Sequence, residues 1–205
     1  MRRTLVLLGL CLGLFGSGGA AFAQDAGDQA IHEELRGVLT TLQNAINEGK
    51  YEAMLPVISR DIRATPVNQE ILASHEDVVA YFKRWFGEGG YLKKLDIKLD
   101  ADALTELSAD KTWGVVRGSG VERYILADGR KYDLKTRWTA TVAKETDGKW
   151  RLRTIHIGTN FLDNPILAEA EGAVVKVGVA AGVGGLVLGL LIALLITRVR
   201  RRKQQ

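Results

Sequence analysis

Cysteine is almost missing from this 205-residue chain: the one present is Cys11. It lies in an N-terminal stretch that reads as a signal peptide, so the remainder carries no thiol. Disulfides, thiol nucleophiles and cysteine-ligated zinc are thereby excluded. Histidine is scarce as well, with only His32, His75 and His156. No two of them stand at the i, i+4 or similar spacing that ligands need, so no metal site is expected. A phosphate-cradling glycine loop and a nucleophile elbow are both absent, and no cofactor is implied. There is no internal repeat and no low-complexity tract.

A basic face for nucleic acid is also lacking, despite 28 Lys and Arg against 24 Asp and Glu. Eight of the basic residues sit at the two ends: Arg2, Arg3, Lys176, Arg198, Arg200, Arg201, Arg202 and Lys203. Between them 20 basic residues face 24 acidic ones, a net charge of −4. That balance excludes a nucleic-acid footprint.

The ends read as targeting segments. Arg2 and Arg3 precede an apolar core from Leu5 to Phe15, and Ala21-Phe22-Ala23 forms a small-x-small cleavage site before Gln24. This is the pattern of a secretory signal peptide over residues 1–23. Leu10 stands where a lipoprotein signal needs a small residue before its cysteine, which argues against lipidation. At the other end, Val177 to Thr197 contains no charge. About 20 apolar residues suffice to cross a hydrocarbon core of roughly 30 Å. The basic cluster that follows, residues 198–205, is expected on the cytoplasmic side. The expected location is therefore the cytoplasmic (inner) membrane, spanned once by residues 177–197. The folded part stands on the extracytoplasmic, periplasmic side. Within the span, Gly178 and Gly182, and Gly185 and Gly189, are each four apart, a spacing found at close helix pairs.

Residues 24–162 are the size of one domain. Ile31, Leu35, Val38, Leu39, Leu42, Ala45 and Ile46 fall at helical spacing, and Gly49 ends that helix. A helical turn is expected over Tyr51–Ile58 and a short strand over Asp61–Thr65. Ser74 is placed to cap a second helix, with Glu76 and Asp77 in its first turn and an aromatic face of Phe82, Trp85 and Phe86. The period then changes to two. Leu95, Ile97 and Leu99 alternate with charged residues, and long strands are expected over Trp113–Leu126, Lys131–Lys144 and Lys149–Asn160. Asp128-Gly129 and Asp147-Gly148 are hairpin signals between them. Helices followed by an antiparallel meander give an α+β fold. Residues 163–176 form a juxtamembrane linker, with Asn164 as helix cap and Pro165 at the first helical position.

Several of these features occur together in one family. They are the step Glu48-Gly49-Lys50-Tyr51-Glu52-Ala53-Met54, a strand bearing Asp61 and an aromatic second helix. Asp128-Gly129, Arg137-Trp138-Thr139, Asp147-Gly148-Lys149-Trp150-Arg151 and His156 then follow in order. Over residues 28–162 the chain resembles the SnoaL-like and ketosteroid-isomerase-like branch of the nuclear-transport-factor-2-like superfamily. The resemblance implies a cone, in which a curved antiparallel sheet wraps around the N-terminal helices and leaves a pocket at its wide end. It also implies that any enzyme chemistry would use acids deep in the cone. In many members the last strand has a Ser where Gly158 stands here.

Strict alternation puts Trp150, Leu152, Thr154, His156 and Gly158 on one face of the last strand. If that face is concave, His156 points into the pocket and could act as an acid–base group near neutral pH. Arg117 could hold a carboxylate, or pair with an acid such as Asp61, or lie outside. Asp61 is the one early-strand acid to nominate, but Arg60 and Arg63 beside it would keep it ionised. Val121, Leu134 and Thr136 take the expected inward positions on the late strands, leaving no second inward acid. The candidate catalytic residues are thus His156 and Asp61, and the candidate ligand contacts are His156, Arg117, Trp138 and Thr154. The favoured function is a membrane-tethered module that binds a small, largely apolar ligand, or an accessory module that forms a homodimer through its sheet. The rival is an isomerase- or hydratase-type enzyme using His156.

Overall fold

The computed structural model describes residues 18–202. The charged start and apolar core of the expected signal peptide, Cys11 included, lie outside the described residues. The first helix, α1, runs over Gly18–Asn47 and so crosses the expected cleavage site. Leu35, Val38, Leu42 and Ala45 form its buried stripe. Its end is a Schellman motif: Gly49 takes φ +68°, Lys50 N–H donates to Ala45 O, and Gly49 N–H donates to Ile46 O. A left-handed residue there costs glycine little, which is why the helix stops where it does.

A 3-10 segment over Tyr51–Val57 leads into β1, Ile58–Thr65, which begins three residues earlier than the alternation suggests. Helix α2, His75–Phe86, starts as expected, with Ser74 Oγ accepting from Asp77 N–H at 3.1 Å. It lays Val78, Tyr81 and Phe82 on the core, and Tyr51 stacks on Phe82 with ring centres 4.2 Å apart. The remaining strands are β2 (Leu92–Ala101), the two-residue β3 (Glu106–Leu107), β4 (Trp113–Leu126), β5 (Lys131–Lys144) and β6 (Trp150–Thr159).

The strands form one sheet in the order β1-β6-β5-β4-β2, with β3 also paired to β4 beyond the end of β2. Hairpins join β4, β5 and β6, and β2 pairs antiparallel to β4. One edge corrects the expected all-antiparallel arrangement, because β1 runs parallel to β6. Parallel neighbours need a crossover rather than a hairpin, and here α2 and the whole meander lie between them. The sheet is curved and unclosed, with α1 and α2 in its concavity, which is the α+β cone.

The inner rows of β4 and β5 match residue for residue. Val116, Gly118, Gly120 and Glu122 stand opposite Ala140, Trp138, Thr136 and Leu134. The outer rows are charged and paired: Arg123 with Asp133, Arg137 with Asp102, Arg117 with Glu106, and Arg153 with Asp61.

From Pro165 a single helix, α3, continues to Arg202 over 38 residues, unbroken at Gly172. Asn164 caps it, its Oδ1 accepting from Leu167 N–H at 3.0 Å. Among the described residues one helix is thus long and apolar enough to cross a membrane, and its apolar side chains are exposed.

Candidate functional site

The concave side encloses a cavity of about 130 Å³. Apolar side chains from every surrounding element supply most of its wall, among them Ile46 of α1, Ile62 of β1, Phe82 of α2, Leu95 of β2 and Ile157 of β6. Three polar residues interrupt that wall: Glu122 and Tyr124 of β4 and Tyr81 of α2. Glu122 is 4 % exposed. Its Oε2 accepts from the Tyr124 hydroxyl at 2.6 Å. The other oxygen, Oε1, is buried without a hydrogen-bond partner, and so is Oγ1 of Thr136. The Thr136 hydroxyl lies near enough to favour the charged carboxylate, yet it makes no hydrogen bond of normal geometry.

Burial dominates the electrostatics of this cluster. Loss of water raises the Glu122 carboxyl above the usual range, against the opposing pull of Tyr124 and Thr136. The Tyr124 phenol is pushed far up, first by burial and then by the negative charge of Glu122. Tyr81 is raised by burial, with the charges of Glu70 and Glu122 adding to it. Two protonated phenols therefore flank one carboxyl in an apolar enclosure. An oxygen so placed can accept a hydrogen bond when ionised and donate one when protonated.

A second apolar cavity, about 120 Å³, lies further along the cone, with Val116, Trp138 and Leu104 in its wall. Leu42, Leu99, Leu152 and Ile155 line both cavities and form the partition between them. A larger cleft, about 520 Å³, opens on the outer surface among Arg60, Asp61, His75, Glu145 and Arg151. Several of its charges already have partners: Asp147 holds Arg151 at 2.6 Å, and Asp61 holds Arg153 at 2.5 Å. The 130 Å³ cavity is the better candidate, because among the described residues its wall presents a buried polar atom, Glu122 Oε1, with unmet hydrogen-bonding capacity.

Of the residues nominated from the sequence, Trp138 is in the cone. It is buried, it lines the second cavity, and its Nε1 donates to Ser119 O at 3.0 Å. His156 is corrected, being exposed on the outer side of β6. The cause is a bulge: Thr141 pairs with Thr154 and Val142 with Leu152, so Arg153 is an extra residue on β6. One inserted residue reverses the facing of everything after it. Leu152 points inward before the bulge, and Ile155 and Ile157 point inward after it. Thr154 sits at the bulge, where its Oγ1 accepts from Thr141 N–H at 3.3 Å, and it lines neither cone cavity. Arg117 is exposed and 3.4 Å from Glu106, and Asp61 is an exposed partner of Arg153 rather than of Arg117.

Glu122 escaped the sequence reading, which placed Val121 inward; Val121 is 42 % exposed. The signal was present in the β4–β5 hairpin. Counting back from the Asp128-Gly129 turn sets Glu122 opposite Leu134. Cross-strand partners share a face, so an inward Leu134 demands an inward Glu122.

No family model matches this chain, and none of the curated proteins does. Solved structures do match. A protein with a cystatin-like fold from Caulobacter vibrioides is 16 % identical, covering 69 % of this chain and 96 % of its own, with a TM-score of 0.52. A type 2 hexachlorocyclohexane dehydrochlorinase is 9 % identical over 67 % of this chain and 90 % of its own, with a TM-score of 0.56. A ketosteroid isomerase-like protein from Erwinia carotovora atroseptica is 11 % identical over 62 % and 95 %, with a TM-score of 0.53. The fold is that of the nuclear-transport-factor-2-like cones. At these identities the likeness concerns the fold, and the chemistry must be argued from the residues.

Proposed function

We propose that this is a membrane-anchored extracytoplasmic domain that binds a small, largely apolar ligand in its cone, with one polar end of the ligand on Glu122. The observation that carries this is Glu122 Oε1, a buried oxygen without a partner in the wall of an apolar cavity; Thr136 Oγ1, also unpartnered, lies near that carboxylate but outside the wall. A buried polar group left unpaired costs about 1–3 kcal/mol, and a ligand hydroxyl in the cavity would meet Glu122 Oε1. The cavity's 130 Å³ is close to the roughly 150 Å³ of apolar cavities that take up benzene. The ligand, or the part of it seated here, is about the size of one six-membered ring. The membrane helix and the basic residues after it support a domain outside and a tail in the cytoplasm.

A thermal-shift comparison of phenol with benzene tests this directly. Phenol is expected to raise the melting temperature more than benzene does, and Glu122→Leu should abolish that preference. Equal shifts by both compounds, or none by either, would overturn the reading.

Turnover of the isomerase or hydratase type is the second reading, and it moves from His156 to Glu122. A buried carboxyl of raised pKa beside a tyrosine is suited to proton transfer. It would have to work as the single acid–base carboxyl of the cavity. The charged outer sheet face offers a homodimer ion-paired rather than apolar contacts.

A further inference from the structure

The end of the cone from which α3 leaves carries the most exposed large apolar side chains of the domain, while Leu104 (59 %) and Trp113 (48 %) are exposed elsewhere. Four of its side chains are large, apolar and exposed: Phe161 (83 %), Leu162 (79 %), Ile71 (78 %) and Tyr91 (59 %). They come from three separate loops, yet strand register brings those loops to one end. Ile71 follows β1, whose Thr65 pairs with His156, opposite Thr139 in the middle of β5, so it stands further from the β4–β5 turn than the other three. Phe161 and Leu162 follow the end of β6. The carbonyl of Tyr91 accepts from Ala127 N–H at the β4–β5 turn. Scattered single apolar residues need no explanation, but an apolar rim gathered on one end marks a contact surface.

At the same end the domain grips α3. Arg130, beside the β4–β5 turn, lies 3.2 Å from Glu169, and the Tyr132 hydroxyl donates to the same carboxylate. Arg130 is itself held by Asp128 at 2.8 Å. Because α3 is continuous from Pro165, this clamp sets the height of the domain along the membrane helix. Apolar exposure on α3 resumes at Val174 and Val175, and the stem of Lys176 can snorkel. The stretch from Glu169 to Val174 rises about 8 Å. The headgroup layer on each side of a bilayer is roughly 5–8 Å deep. The clamp therefore holds the β4–β5 turn at headgroup level.

We propose that this end of the cone is a membrane-contact face, seated on the bilayer that α3 crosses, with Tyr91 at headgroup level and Phe161 and Leu162 at the outer edge of that layer. The occupant is the lipid surface and not a protein partner, because the rim surrounds the exit of the membrane helix and the clamp leaves little room between them. Tyrosine at such a level is typical of interfacial belts. The domain is mounted on the bilayer rather than tethered above it. This does not depend on a ligand in the cone.

The test uses the full chain in nanodiscs containing a nickel-chelating lipid. With no cysteine after Cys11, single spin labels can be placed by Ala127→Cys at the β4–β5 turn and Thr146→Cys at the opposite turn. About 40 Å of strand separates the two. Nickel at the headgroups is expected to enhance relaxation several-fold more at position 127 than at 146. Adding Phe161→Ser with Leu162→Ser, or Glu169→Ala, should cut the enhancement at 127. Equal enhancement at both positions, or no response to the rim and clamp substitutions, would overturn the proposal.

Discussion

The indole of Trp138 lies across the backbone of Gly118, so close that a Cβ there would stand 2.2 Å from the ring and 2.2 Å from Asp100 O. Neither the sheet backbone nor a buried, hydrogen-bonded indole can give way cheaply. Gly118→Ala is therefore expected to destabilise the domain by about 1–3 kcal/mol, the range for overpacking. Thermal or urea denaturation of the detergent-solubilised chain would measure it, and a change within error would mean that the sheet opens there without strain.

Glu122 makes stability depend on pH in an unusual direction. Its folded-state pKa is raised by burial, so its contribution is full below the ordinary glutamate value and declines as pH rises through the raised one. Relative to Glu122→Gln, the wild type should lose up to about 1.4 kcal/mol per pH unit across that interval. Denaturation series of both proteins from pH 4 upward would show diverging curves; parallel curves would mean that the carboxylate is solvated.

His156→Ala should do little. The imidazole is exposed and lies outside both cone cavities, so a stability change within about 0.5 kcal/mol is expected. Phenol-induced stabilisation should be unaltered in the same variant. Loss of that stabilisation would return His156 to the site and contradict the outward facing set by the bulge.

Ser74→Ala removes the oxygen that accepts from Asp77 N–H. An N-cap of this kind is worth about 1 kcal/mol. Because α2 lays Tyr81 and Phe82 on the cavity wall, the variant should weaken phenol-induced stabilisation as well as lower the melting temperature. Ser74→Asp should restore both.

Local sequence determined most of the elements and their order. Helical periodicity, the Gly49 stop, the Ser74 and Asn164 caps, and the Asp-Gly turns each act within a few residues. β4 and β5 accordingly run over the expected residues, and β6 starts and stops within one residue of expectation. The apolar run after Lys176 needs no tertiary contact to be a membrane-spanning candidate. Facing was another matter. Alternation along β6 places His156 beside Leu152, but the bulge at Arg153 arises from the fit of β6 between two neighbours. β1 is itself irregular between Ile58 and Arg63. A bulge conserves strand character while reversing orientation, so a local period cannot detect it. The parallel seat of β1 and the union of Glu122, Tyr124 and Tyr81 in one cavity were likewise decided by tertiary structure. Each depends on residues far apart in the chain being brought together by the crossover of α2 and the curvature of the sheet.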